Sequence, residues 1–169
     1  MWIELIVILL TGISAVVCYL VHNARKAEEK KYYNAACKMI KETCLNEAIA
    51  NNRSFQETGY KTMVYLKWKN HGKQGYVFDP DKDIRIGRLS QDNEICIRDI
   101  SVSSRHCRIW LCQGQLLVED LHSSNGTWIK RGLFKEAVYG AVPLLSGNIL
   151  QIGKERIQVK IFYFDMALL

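Results

Sequence analysis

Three patterns of hydrophobic and polar positions follow one another along the chain. From Leu5 to Ala24 no acidic or basic residue occurs apart from His22, and the run Leu5-Ile6-Val7-Ile8-Leu9-Leu10 leads through to Val16-Val17-Cys18-Tyr19-Leu20-Val21. Counted from Trp2, this supplies the roughly 20 residues a helix needs to cross about 30 Å of hydrocarbon. Trp2 and Tyr19 suit the two interfaces. A cleaved leader usually opens with a basic stretch, and none precedes this run. The pattern predicts a transmembrane helix over 1–24, in contact with the bilayer through 3–21. Arg25, Lys26, Lys30 and Lys31 follow the span, and Glu4 is the charge before it. The positive-inside rule then puts the N-terminus outside and the rest of the chain in the cytoplasm.

The second pattern covers 25–54. Asn23 to Asn51 contains Ala, Glu, Lys, Met and Leu and no Gly or Pro, which predicts a cytoplasmic helical stalk. Glu28 with Lys31, and Lys38 with Glu42, stand at helical pairing distance. Tyr33, Cys37, Ile40 and Cys44 recur at spacings of four, three and four and form one apolar seam. That seam is shorter than a coiled coil requires. It serves either as a face resting on the neighbouring domain or as a homodimer contact. Asn51-Asn52-Arg53-Ser54 through Gly59 reads as a linker.

The third pattern, over 55–169, is one of short strands. Thr62 to Trp68 is rich in strand formers, and Ile84-Arg85-Ile86 and Ile95-Cys96-Ile97 alternate with period two. Further strand-like runs are Cys107 to Leu111, Gln115 to Glu119, Thr127 to Ile129, Ile149 to Ile152 and Ile157 to Phe164. Turn residues separate them: His71-Gly72, Asp79-Pro80-Asp81, Gln113-Gly114, Asn125-Gly126 and Gly147-Asn148. Many short strands without intervening helices predict an all-β sandwich or barrel. In such folds the loops at one end form the binding surface.

Composition changes this picture little. With 169 residues, 49% of them hydrophobic and 24% charged, the chain has room for one ordinary core plus an appendage. The net charge of +6 is spread out rather than gathered in a block. It therefore reads as a weakly basic solvated surface rather than a nucleic-acid footprint. Six cysteines, Cys18, Cys37, Cys44, Cys96, Cys107 and Cys112, form no CxxC pair. A core of this size needs no disulfide staples, so free thiols in a reducing compartment are the simplest account. Cys96, His106, Cys107, Cys112 and His122 fit no zinc spacing, so no metal is expected. Ser103 and His106 invite a nucleophile–base reading, but no glycine elbow or oxyanion-hole run accompanies them, so no enzyme is expected.

The polar residues that stand out are in the loops. Gly87-Arg88 is followed by Ser103-x-x-His106 and then by Ser124-Asn125-Gly126-Thr127. The fuller pattern is Ile84-x-Ile86-Gly87-Arg88, then Asp99-x-x-Val102-Ser103-Ser104-Arg105-His106-Cys107-x-Ile109, then Val118-Glu119-Asp120-Leu121-x-Ser123-Ser124-Asn125-Gly126-Thr127-Trp128-Ile129. It closes with Val142-Pro143-Leu144-x-x-Gly147-Asn148-x-x-x-Ile152-Gly153. In order, spacing and strand context this resembles the forkhead-associated (FHA) family, over about Lys61 to Phe164.

The resemblance implies an FHA-type β-sandwich of short antiparallel strands and a phosphothreonine-binding module without a cofactor. Arg88 matches the arginine that grips the phosphate, and a guanidinium can make paired, charge-assisted bonds to its oxygens. Ser103 matches the phosphate-binding serine. Ser104 stands where the family often has arginine or asparagine, Ser124 where threonine is usual, and Asn125 where an asparagine bonds the peptide backbone. His106 matches a structural histidine that braces the loop, with Gly87 and Gly126 supporting it. The sequence departs from the family at His122, often glycine there, and at Lys130-Arg131-Gly132, which replaces an Asn-Gly turn and reads as a three-residue loop with Gly132 left-handed. The order of span and domain resembles small Gram-positive bacterial FHA proteins with one span. It implies threonine-phosphorylated partners, a Ser/Thr kinase or its substrates, and a signalling adaptor. The competing reading is a phosphorylation-independent scaffold of a membrane complex, related to the cell wall or division.

Overall fold

The computed structural model describes residues 2–51, 59–68 and 75–168. The expected linker at 52–58 and the His71-Gly72 turn lie outside the described residues. One unbroken helix, α1 (Trp2–Asn51), carries both the apolar run and the stalk. Its most apolar 18-residue stretch has a mean hydropathy of 2.4, is long enough to cross a membrane, and is buried nowhere in the protein. Lys38 pairs with Glu42 as expected, at 3.9 Å. Glu28 pairs across the molecule with Lys67, not with Lys31.

Among the described residues, eleven strands follow: β1 (Tyr60–Trp68), β2 (Gly75–Phe78), β3 (Ile84–Gly87), β4 (Ile95–Cys96), β5 (Cys107–Cys112), β6 (Gln115–Asp120), β7 (Thr127–Arg131), β8 (Phe134–Ala137), β9 (Val142–Pro143), β10 (Ile149–Ile152) and β11 (Glu155–Asp165), then a 3-10 turn, Met166–Leu168. They form a six-stranded sheet, β2-β1-β11-β10-β7-β8, stacked on a five-stranded sheet, β4-β3-β5-β6-β9. Pairing is antiparallel except between β3 and β4, where Ile86 lies beside Ile95 in parallel. A long loop joins those two strands, and it carries Arg88.

Val64, Leu66, Ile84, Ile86, Ile109, Val118, Ile129, Leu150, Ile152 and Ile157 fill the space between the sheets, all at most 2% exposed. Strand β11 shows why its sequence does not alternate cleanly. Ile157, Val159 and Ile161 face the sandwich core, while Phe162, Phe164 and Met166 pack with Ala36 and Ile40 of α1. A strand covered on both faces reads as a continuous apolar run. The seam of Tyr33, Cys37, Ile40 and Cys44 thus rests on the protein's own β1–β11 surface. Of the two readings of the seam, this is the face resting on the neighbouring domain.

Two hairpins close the end remote from the Arg88 loop. Gln113 and Gly114 form a two-residue loop with positive φ at both positions (50° and 77°), because Cys112 pairs directly with Gln115. The β7–β8 connection differs from the expected three-residue loop. Arg131 pairs with Phe134, so Gly132 (φ 60°) and Leu133 alone make the turn, with positive φ at its first position only. The short strands β2, β8 and β9 carry no clear period-two pattern and were not expected.

Candidate functional site

The loops β3–β4, β4–β5 and β6–β7 meet at one end of the sandwich, and backbone and side-chain bonds tie them together. Arg88 follows immediately after β3. Its N–H donates to Ser103 O at 2.9 Å, and its Nε donates to Val102 O at 3.2 Å. The side chain is exposed and has no carboxylate partner among the described residues. Its guanidinium therefore sits over the β4–β5 loop with its charge uncompensated.

Ser103 and Ser124 are joined directly. Ser124 N–H donates to Ser103 Oγ at 2.9 Å, and the two hydroxyl oxygens lie 3.4 Å apart. Asn125 donates from Nδ2 to Ser101 O at 2.8 Å. Arg88, Ser103, Ser124 and Asn125 thus fall on one cross-linked surface, not on separate faces. Ser104 is half-buried, and its carbonyl accepts from Leu89 N–H (3.4 Å) and from Asn93 Nδ2 (2.7 Å). Its neighbour Arg105 is exposed.

His106 is completely buried beneath this surface. Ser103 N–H lies 3.0 Å from its Nδ1, and its Nε2 lies 3.3 Å from Gly126 O. The first contact requires an acceptor and the second a donor, so the ring is neutral with its proton on Nε2. Burial pushes its pKa below the ordinary histidine value, against the opposing pull of the Gly126 carbonyl and the Asp120 carboxylate. A neutral histidine bonded on both sides to backbone holds two loops in register. It has no free nitrogen with which to take a proton from Ser103.

Residues outside the expected set complete the frame. Burial alone would raise the Asp120 pKa. Hydrogen bonds from Ser123 and Thr127, with the nearby His106, outweigh it, so the net shift is downward. Asp120 accepts from Ser123 Oγ (2.6 Å), Ser123 N–H (2.9 Å) and Thr127 Oγ1 (2.5 Å), which fixes the β6–β7 loop. Asn93 bridges Leu89 O and Ser104 O, at 2.6 and 2.7 Å. Asp99 holds Ser101, whose hydroxyl in turn accepts from Lys154 N–H at 2.9 Å. Short Asx and Ser residues in loops are the sequence signal for such braces, but they do not reveal their long-range partners.

Two backbone features explain local sequence choices. A Cβ on Gly87 would stand 2.3 Å from Ser104 O and 2.7 Å from Asn93 Oδ1, so only glycine lets the loops close at this point. Gly126 has φ 69°, the left-handed turn position expected for it. His122 also lies in the left-handed region, at φ 57°. That is the physical reason glycine suits this position and histidine is the departure.

Residues 84–153 match the family model described as FHA domain. The solution structure of an FHA domain from an Arabidopsis thaliana hypothetical protein has a TM-score of 0.57 at 25% identity, over 67% of this chain and 95% of that one. The chain carries an FHA domain. A second solved FHA domain, described through phosphothreonine-dependent interactions, has a TM-score of 0.50 at 28% identity and covers 58% of this chain and 95% of that one. Among curated proteins, the glycogen accumulation regulator GarA of Mycolicibacterium smegmatis is 41% identical over 100 residues, 59% of this chain and 58% of GarA. The chain spans between 23% and 58% of the length of the curated relatives it matches. FHA domains are interaction modules, and the matched region contains Gly87, Arg88, Ser103, Ser104, His106, Ser124, Asn125 and Gly126.

Proposed function

We propose that this chain is a membrane-anchored adaptor whose FHA domain, within 55–169, binds phosphothreonine on partner proteins and performs no catalysis. Residues 1–24 span the bilayer, and 25–54 form a cytoplasmic stalk that leads to the binding domain. The cationic flank Arg25, Lys26, Lys30 and Lys31 supports a cytoplasmic FHA domain. The partners are threonine-phosphorylated proteins, either a Ser/Thr kinase or its substrates.

The observation that carries this reading is the bonding between loops, which gathers one unpaired guanidinium with the hydroxyls of Ser103 and Ser124 and the amide of Asn125. A phosphate brings about −1.5 to −2 charges and three acceptor oxygens at neutral pH. Arg88 supplies the charge and a planar fork, and the serines add neutral donors. Ser103 Oγ accepts from Ser124 N–H, and its own proton, directed at Ser124 Oγ over a long 3.4 Å, can turn to a phosphate oxygen at little cost. Asn125, next to this pair and held by its bond to Ser101 O, contacts the peptide backbone. An unmodified threonine offers the guanidinium nothing comparable.

The test is calorimetric titration of the full chain in nanodiscs with a degenerate phosphothreonine peptide library and its unphosphorylated counterpart. The phosphorylated pool binds and the other does not. Arg88→Ala reduces affinity at least about 100-fold, because a charge-assisted bidentate contact is lost, and it leaves the melting temperature unchanged. Equal binding of the two pools, or normal affinity in Arg88→Ala, refutes the site and favours a phosphorylation-independent scaffold.

A further inference from the structure

Helix α1 is docked with a definite polarity. Going along it from the membrane side, Glu28 meets Lys67 and Glu29 meets Lys160 (3.1 Å). Next Tyr32 stacks on Tyr65 (centroids 5.2 Å apart), then Tyr33 on Phe164 (4.9 Å). Ala36 and Ile40 pack with Met63, Phe164 and Met166. Rising helix numbers thus descend β1 and ascend β11, away from the β10–β11 turn. Read backwards, from Glu29 toward the span, the helix heads for that turn. Arg25 still lies beside the sheet, lining a cleft of about 660 Å³ with Lys67, Gln158 and Lys160.

The β10–β11 turn belongs to the loop end. Lys154 N–H is bonded to Ser101 Oγ, and Ser101 O accepts from Asn125. From Lys160 to Lys154 the strand covers about 20 Å at its usual rise. From Glu29 to Ala24, where the apolar run ends, the helix covers about 8 Å. With strand and helix parallel, the loop end lies about 12 Å past the level at which α1 enters hydrocarbon, and a tilt of α1 within the bilayer, away from the sandwich, lifts it to the headgroups.

Charge separates the two ends of the sandwich in the same sense. The loop end exposes Arg88, Arg98, Arg105 and Lys154, which outnumber its exposed carboxylates Asp92 and Glu94. The opposite end carries Asp79, Asp81 and Asp83 on the β2–β3 loop and Glu136 on β8, but Lys82, Lys130 and Lys135, with Lys61 bonded to Asp79 and Asp81, offset them, so that end is near neutral. Apolar exposure does not discriminate, because Ile100 and Tyr139 at the loop end (90% and 87% exposed) are matched by Leu133 (96%) at the other. A cationic end suits the surface of an anionic leaflet.

We propose that the peptide-binding end of the sandwich faces the bilayer, so that this chain takes phosphothreonine from the juxtamembrane segment of another integral membrane protein. The inference rests on the anchor and the site proposed above. It restricts the partner class: a phosphorylated threonine presented within a few residues of a membrane span is in reach, and one displayed far above the surface is not favoured.

The experiment uses the full chain in nanodiscs and a phosphothreonine peptide selected from the library. The peptide is offered free, coupled to a lipid headgroup through about four residues, which reach at most about 14 Å, or coupled through about 40 flexible residues. The short tether is expected to bind at least about tenfold tighter than the free peptide. Gadolinium-chelating headgroups are expected to broaden the Ile100 methyl signals and spare those of Leu133. If the free and long-tethered peptides bind and the short-tethered one does not, the orientation is wrong and the phosphothreonine reading survives. The orientation is equally wrong if Leu133 is the residue broadened. If an unphosphorylated short-tethered peptide binds equally well, the contact is with the membrane surface and the proposal is overturned. If the detergent-solubilised chain fails to bind the free peptide, the underlying reading has failed and this inference falls with it.

Discussion

The two ends of the sandwich solve the same problem, reversing the chain between strands, by different means. At the far end, Gln113-Gly114 and Gly132-Leu133 turn in two residues with the backbone alone, and the strands they join pair right up to the turn. At the loop end the β10–β11 turn is as tight, but the β3–β4, β4–β5 and β6–β7 connections are long, and bonds between loops hold them: Arg88 to Ser103, Ser124 to Ser103, Asn125 to Ser101, and Ser103 and Gly126 to the two sides of His106. A tight hairpin closes through its own backbone but has no spare polar groups to present. A braced set of long loops holds hydroxyls, an amide and a guanidinium toward solvent, and depends on a few buried contacts to do so. Damage at the loop end should therefore spread from stability to binding, while damage at the far end affects stability alone.

The largest effect on the fold is expected at His106. His106→Ala opens a buried cavity and strips partners from Ser103 N–H and Gly126 O, which together cost about 3 kcal/mol or more. Phosphopeptide affinity falls with stability, since Ser103 loses its anchor. The same residue gives a pH signature. The folded pKa is depressed, so the unfolded chain takes up the proton first as pH falls. The stabilisation is fully present above the unfolded value of about 6.5 and is lost on acidification below it. Thermal melting of the full chain in nanodiscs between pH 7.5 and 5.5 should show this slope in the native protein and a shallower one in His106→Ala. An unchanged melting temperature, or identical slopes, removes His106 from the bracing role.

A pair of glycines tests the contrast with one kind of substitution. In Gly87→Ala the new methyl meets the Ser104 backbone oxygen at 2.3 Å, so the loops must part. Overpacking of that kind costs about 2 kcal/mol, and phosphopeptide affinity drops as well. Gly114→Ala meets nothing within 4 Å and is strained only through its φ of 77°, at about 1 kcal/mol. It should leave affinity unchanged. Equal effects of the two substitutions on binding, measured by calorimetry, would erase the distinction between the ends.

How much of the fold and the site is legible in the sequence follows from the range of the interactions. Alternation reveals β1, β3, β4, β5, β6, β7, β10 and most of β11, because each has an inward face against one core. It misses β2, β8 and β9. These short edge strands bury few positions and form through pairing with a neighbour, which local pattern does not record. The motif residues Arg88, Ser103, Ser124 and Asn125 are legible through their loop context, and the fold brings them together. Asn93, Ser101 and Asp120 are not, since a small polar residue in a loop looks the same whether it faces water or ties two loops. The seam of Tyr33, Cys37, Ile40 and Cys44 is visible as a pattern, but its partner is β1 and β11, and no local spacing points that far along the chain.

The smallest effect sharpens the comparison furthest from the site. Gln113 and His122 are the non-glycine residues with left-handed φ among the described residues, at 50° and 57°, one at each end. A two-residue turn with positive φ at both positions favours Asn-Gly, and here Gln precedes Gly114. Asparagine visits this region at lower cost than glutamine because its short amide can bond locally. Gln113→Asn should therefore raise stability by about 0.5 kcal/mol and leave phosphopeptide affinity untouched. None of the bonds that tie the loops around Ser103 involves this turn, so relief of strain there has no route to the site. A change in affinity in this variant, measured beside an unchanged Arg88→Ala defect, would show that the far end communicates with the site, and the two ends could no longer be treated as independent.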